Sequence, residues 1–277
     1  IADVSTGRQQ PTGAGTQTAA LCISGDITGG AKQAVVESWD GSSWTEVGDV
    51  NTARNMVTGD GSSTAAIIAG GEAPSYSTAC ETWNGTAWTE TADLNVAKAS
   101  LGFAGVTTSA IVCGGNPSPV IAQAEKWNGT AWTEVGDLNT PKVNPGAAGD
   151  TSDSAIAFGG SPGPVRTQTE YYDGSSWTEL ADLSTARSVY ESNAGSVPSA
   201  LAAGGNTGSV TGATEEWNWD STLAAGAFAA GGNINTARAF PGMCGTQTAG
   251  LLYGGNLGPP GSSAANESYD GASCTEE

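Results

Sequence analysis

The sequence predicts an all-β fold: a six-bladed β-propeller with four antiparallel strands per blade, spanning residues 1–277 as a single domain. Three observations predict it. First, the octet W-[ND]-G-[ST]-[SA]-W-T-E stands at 39–46, 83–90 and 127–134, and the last two copies are the identical string WNGTAWTE. It recurs with Tyr172 leading at 172–179, and degraded to YDGASCTE at 269–276. Second, a diglycine ends an apolar run at Gly70-Gly71, Gly114-Gly115, Gly159-Gly160, Gly204-Gly205 and Gly254-Gly255, with Ser24-Gly25 as a weakened first member. Third, two charged positions keep the same register. One is basic (Arg8, Arg54, Lys98, Lys142, Arg187, Arg238), and the other lies two residues before the first aromatic (Glu37, Glu81, Glu125, Glu170, Glu215, Glu267). The diglycine and the two charged positions occur six times, at a period of about 45 residues that fits propeller blades.

The elements follow in chain order. Residues 1–8 form the expected lead-in to blade one. The second unit sets the pattern: strand A after Arg54 (55–59), strand B in TAAIIAGG, strand C in STACETW and strand D in AWTET. Asn84-Gly85 predicts a tight C–D hairpin of type I′, whose two central residues both take positive φ. Turns of the Asp-Leu-Asn-Thr type link D to the next A, through hydrogen bonds from their own side chains. The fifth unit departs: nine residues lie between Asn218 and Phe228 where other units have three. Phe228 takes the strand-D Trp position, and the insertion should project on the face shared by A–B and C–D loops. At the end, residues 274–277 should form the outer strand of blade six. YDGASCTEE followed by IADVSTGR matches the uninterrupted YDGSSWTELADLSTAR of the fourth unit, so the cut falls after strand D of a closed ring.

Composition narrows function. Nine Lys and Arg against 28 Asp and Glu give a net charge of −19, which repels nucleic acid and anionic membranes. There is no His, which removes the commonest general base and imidazole ligand. Cys22, Cys80, Cys113, Cys244 and Cys274 show no CxxC spacing, so they read as small buried hydrophobes. No apolar run approaches the length of a membrane helix, and no signal peptide is read at the start. The first residue is Ile, so a processed chain or part of a longer one is expected. No catalytic, cofactor or metal site is predicted, since GxSxG, P-loop, HExxH and EF-hand patterns are all missing. Asn84-Gly-Thr and Asn128-Gly-Thr spell glycosylation sequons but coincide with hairpin turns, which account for them.

The order diglycine, Glu, aromatic, Trp, basic residue resembles the kelch repeat, over the whole chain. Near-identical repeats with GTQTAA and GTQTAG hairpins (15–20 and 245–250) and LNTAR-type turns resemble kelch-like proteins of marine bacteriophages and their bacterial hosts. That resemblance implies a virion appendage or surface protein, such as a tail fibre or receptor-binding component. It implies an extracellular or virion-surface location, neighbouring subunits as partners, and a surface glycan or receptor as target.

The repeated residues read as structure. Trp39, Trp44, Trp83, Trp88, Trp127, Trp132, Trp177 and Trp217 are expected to pack between neighbouring blades rather than to stack sugars. The six basic residues are expected to pair with the six glutamates, holding blade to blade, rather than to form an anion-binding ring. Function belongs where the repeat breaks. The B–C loops vary after each diglycine, and Pro74, Tyr76, Pro117, Pro119, Pro162 and Arg166 are the candidate contacts there. In the blade-five insertion, Trp219 and Leu223 either touch a neighbouring subunit or fold back on the blade edge. The alternative to a non-enzymatic adhesion module is a secreted carbohydrate-active enzyme, with Asp60, Asp150 and Asp153 near the A–B hairpins as candidate acids.

Overall fold

The computed structural model describes residues 2–276 apart from 118, 162, 191–193, 221–224 and 259–260. It contains six four-stranded antiparallel sheets, each built from one contiguous stretch in the order A-B-C-D. Blade two has A at Thr58–Ser62, B at Ala65–Ala69, C at Cys80–Trp83 and D at Trp88–Glu90. The A strands neighbour one another round the axis, including blade six against blade one, so the six sheets form a closed propeller. The outermost strand of blade six is Cys274–Glu276, as the cut after strand D requires.

Three local expectations are corrected. Strand A of blade two begins at Thr58 rather than at residue 55, because Met56 sits at φ 52 and interrupts the extended chain. The C–D loops are not two-residue type I′ turns. Trp83 pairs with Trp88, leaving four loop residues of which only Gly85 has positive φ. Asn84 Oδ1 accepts from the N–H groups of Thr86 (2.9 Å) and Ala87 (3.0 Å), so its side chain closes the loop instead. The D–A turns, by contrast, are held from outside, by the repeat glutamate of the following blade.

That glutamate works with both oxygens. In blade two, Glu81 Oε1 pairs with Arg54 at 2.5 Å, while Oε2 accepts from the N–H and the side-chain amide of Asn51, both at 2.8 Å. Arg54 also donates to the carbonyls of Gly70 (2.9 Å) and Ala79 (2.7 Å), at the ends of the B–C loop. The ion pair recurs as Arg8–Glu37, Lys98–Glu125, Lys142–Glu170, Arg187–Glu215 and Arg238–Glu267, with every partner buried. Each pair therefore lies within one blade. What it ties to that blade is the turn arriving from the previous one: Ser5, Asn95, Asn139, Ser184 and Asn235 present their N–H groups as Asn51 does.

The aromatic repeats pack between blades. Trp83 and Trp88 of blade two join Leu21, Ile23 and Val36 of blade one in one core. Trp127 and Trp132 sit on blade two, and Tyr172 and Trp177 on blade three, in the same way. Within the C–D hairpins of blades one to five the two rings are tilted against each other, 5.5 Å apart for Trp83–Trp88. The first Trp donates Nε1–H to the A–B hairpin of its own blade: Trp39 to Gln17 O at 2.9 Å, Trp127 to Thr107 O at 2.8 Å.

The seam between blades six and one is made by the same means. Ala20, Cys22 and Trp39 pack with Cys244, Leu251 and Tyr253, and Trp44 is edge-on to Tyr253. The buried Tyr253 hydroxyl donates to Leu21 O at 2.7 Å. Gly13 makes room for it, since a Cβ there would lie 2.1 Å from the hydroxyl oxygen. Gly13→Ala is expected to cost about 1–3 kcal/mol by overpacking and to loosen this seam first. Hydrogen exchange would show faster opening at Ala20–Ile23 and Ala249–Tyr253 than in blade three, and uniform loss across all blades would contradict it.

The blade-five insertion prolongs its hairpin. Strand C runs Thr214–Asp220 and strand D Ala225–Ala230, with Trp217 opposite Phe228, as the sequence placed it. Trp219 is half-buried, its ring 5.2 Å from Tyr171 of blade four.

Candidate functional site

A ring of strained backbone surrounds one mouth of the central channel. Each blade places one non-glycine residue in the left-handed region here: Gln10 (φ 58), Met56 (φ 52), Ser100 (φ 60), Asn144 (φ 55), Tyr190 (φ 51) and Phe240 (φ 58), while a seventh, Ser24 (φ 59), stands at the diglycine position of blade one. Each follows the basic residue by two positions, or by three in blade five. This conformation costs an L-residue with a side chain roughly 1–2 kcal/mol, and glycine adopts it freely. The chain holds 41 Gly and uses none of them here. It does use glycine where only backbone matters: both members of Gly70-Gly71 have positive φ, and a Cβ on Gly70 would lie 2.5 Å from Lys98 O.

The six side chains converge at the mouth. Their backbones link neighbouring blades, with Gln10 N–H donating to Phe240 O (3.1 Å), Ser100 to Met56 O (3.2 Å), Asn144 to Ser100 O (3.0 Å) and Tyr190 to Asn144 O (3.2 Å). Gln10 Oε1 accepts from Asn55 Nδ2 at 2.7 Å. The Tyr190 and Phe240 rings lie 3.7 Å apart between centroids. Burial pushes the Tyr190 phenol above its ordinary range, so it stays protonated and able to donate.

Beside this ring, a cleft of about 400 Å³ opens between the B–C loops of blades five and six. Asn206, Ser209, Val210, Phe240 and Asn256 line it, with the backbones of Gly208 and Gly258. Both asparagines are fixed by their own loops: Asn206 Oδ1 accepts from Gly208 N–H at 2.7 Å and Asn256 Oδ1 from Gly258 N–H at 2.6 Å. Asn256 Nδ2 donates to Gln9. Among the described residues none that lines it is charged. The six repeat cations are locked in buried pairs, while Lys32 and Lys126 pair with Glu72 and Asp153.

The residues singled out from sequence fall elsewhere. Pro74 and Pro119 are exposed and Tyr76, Pro117 and Arg166 half-buried in the B–C loops of blades two, three and four. They stand on the same face as the mouth but outside its ring. Pro162 and Leu223 lie outside the described residues. Trp219 is on the opposite face, its ring tilted against Tyr171 of its own chain. Sequence reasoning missed the mouth residues. One signal was present: a position two after an almost invariant basic residue that holds a different side chain in nearly every blade, with proline following in Gln10-Pro11, Asn144-Pro145 and Phe240-Pro241.

The three candidate acids do not gather. Asp153 is exposed and paired with Lys126, and Asp150 is exposed in strand A of blade four (Gly146–Thr151). Asp60 faces Ile67 in blade two, in the register where other blades have Ala14, Ala104, Ala148, Ala194 or Cys244. Its Oδ1 accepts from Gly61 N–H at 2.7 Å. Burial pushes its carboxyl up to about 8, against that hydrogen bond, and the negative charge of Asp150 adds to the rise. Among the described residues no three His, Cys, Asp or Glu side chains converge as a metal site. The described cysteines are free thiols, and burial raises Cys22 to about 11 and Cys80 and Cys113 to about 12.

No family model matches the chain, and no curated protein matches it. Among solved structures it is similar to one described as "Structure of YjhT", with a TM-score of 0.75 at 13% identity, over 100% of this chain and 99% of that one. The likeness is one of fold.

Proposed function

We propose that this chain is a non-enzymatic recognition module of kelch-like architecture, carried on a virion appendage or a cell surface. In this reading it is held by neighbouring subunits of a larger assembly and contacts a surface glycan or receptor. One observation carries the reading: six strained, non-glycine residues aim six different side chains at one mouth. The landmarks around them are near-identical from blade to blade, so the scaffold is constant and the mouth is individual. Backbone strain of this kind gathers at ligand clamps, where side-chain placement matters more than stability. The kelch-like pattern and the GTQTA hairpins support the virion or surface setting.

Electron microscopy of the native particles containing this chain, with mass spectrometry of the same particles, tests the setting. A symmetric multi-chain appendage with the mouth facing outward is expected. A free monomer, or a mouth buried against other subunits, would overturn it.

A second reading, a secreted enzyme that cleaves polysaccharides with carboxyl groups, draws on Asp60. A carboxyl held protonated to about 8 near an exposed carboxylate is what an acid catalyst requires. Release of reducing ends from neutral polysaccharides, abolished in Asp60→Asn, would favour it; no release by the native chain removes it.

A further inference from the structure

We infer that the cleft between the B–C loops of blades five and six binds one uncharged pyranose unit, laid against the Phe240 ring. The inference rests on the recognition reading and names a ligand for the cleft that borders the mouth and shares Phe240 with it.

The cleft's chemistry selects by elimination. Its volume of about 400 Å³ lies at the lower end of the range of small-molecule sites. An anionic ligand finds no partner, because no Lys or Arg lines the cleft and the net charge of −19 repels it. A cation finds no carboxylate in the lining. A purely apolar ligand would strip water from Asn206, Ser209 and Asn256 and return no hydrogen bonds. A neutral polyhydroxyl ring satisfies every part. Its apolar C–H face covers the exposed part of Phe240 and Val210, and its rim hydroxyls meet amide and hydroxyl groups that both donate and accept.

Pre-organisation supports the same ligand. With Oδ1 of Asn206 held by Gly208 N–H, its NH₂ group is presented in one orientation. Phe240 is fixed twice, by its left-handed backbone and by Tyr190 against its ring. Little side-chain freedom remains to be lost on binding, which matters for a ligand as small as one sugar.

The test is saturation-transfer NMR on the intact chain. The probes are methyl glycosides of glucose, galactose, mannose and N-acetylglucosamine, with N-acetylneuraminic acid as the anionic comparison. At least one neutral glycoside is expected to receive magnetisation from aromatic protons, with an affinity of about millimolar, and the anionic sugar none. Phe240→Gly keeps the left-handed backbone without strain, so the fold and thermal midpoint should hold while affinity falls at least about tenfold, as expected for losing the aromatic wall. Ser209→Trp, filling the cleft from an exposed loop position, should abolish binding by an independent route. Transfer to none of the neutral glycosides overturns the inference, as does transfer that survives both substitutions or favours the anionic sugar. An outward-facing appendage with no sugar binding sinks the saccharide assignment alone. Sugar binding by a free monomer supports that assignment and sinks the appendage reading alone.

Discussion

Glu81→Ala is expected to lower the unfolding free energy by about 3–5 kcal/mol, the usual cost of stranding one partner of a buried ion pair. Removing the carboxylate leaves the fully buried Arg54 guanidinium without its counter-ion and frees the Asn51 turn. Arg54→Lys should cost far less, because Lys98 and Lys142 occupy the same position in blades three and four and keep the pair with glutamate. The lysine gives up bonds that Arg54 makes to the carbonyls of Gly70 and Ala79, so a loss of about 1 kcal/mol is expected for it. Denaturant titration of the three proteins checks the ranking. A loss below about 1 kcal/mol for Glu81→Ala would mean that the pair behaves as a solvated surface pair and that the clamp is misassigned.

Asp60→Ala is expected to stabilise the protein, and more so as pH rises. The native carboxyl titrates near 8 and the unfolded one near 3.8. Below about pH 4 both states are protonated and Asp60 costs nothing. Between about 4 and 8 the unfolded state releases its proton while the folded state keeps it, so stability falls with pH, at up to about 1.4 kcal/mol per unit. Above 8 the penalty is complete. Asp60 is half-buried rather than fully enclosed, so the full gain is put at about 2–3 kcal/mol rather than the larger undiscounted value. Alanine is what four other blades place in this register, so it fits the wall. Thermal midpoints of both proteins from pH 4 to 9 should diverge upward for the variant. Parallel curves would show that Asp60 is ionised and solvated throughout.

What the sequence made legible follows from what repeats. Burial imposes the same demand six times, so Glu81, Arg54, Trp83 and the diglycine announce themselves by period, and their pairing and packing could be read in advance. The position of the cut, after strand D, was legible for the same reason. The mouth was not. Gln10, Met56, Ser100, Asn144, Tyr190 and Phe240 are about 45 residues apart, are six different residue types, and meet only because the ring closes. Their left-handed backbone leaves no mark in composition, since glycine, its usual sign, is not used. The same hidden feature displaced the expected start of strand A. Asn84-Gly85 misled in a smaller way: it signals a turn, but the side chain of Asn84 can close a four-residue loop without entering the left-handed region. The double use of Glu81 was also out of reach, because a repeat identifies that a residue is buried and not how many partners each oxygen has.

Each sheet is one uninterrupted stretch of chain, and this shapes how the molecule is made. During synthesis a blade can complete all its pairings as soon as its own residues emerge, with no strand awaiting the far terminus. Every finished blade then offers the next one an apolar wall to condense on. The growing array always carries two such walls open to solvent, one on blade one and one on the newest blade. Adding blades two to five only moves the second wall along. The arrival of Cys244, Leu251 and Tyr253 beside Cys22 and Trp39 covers both at once. The nascent protein is therefore most exposed to self-association just before its last blade, and a translational delay at that point is more hazardous than the same delay one blade after the start.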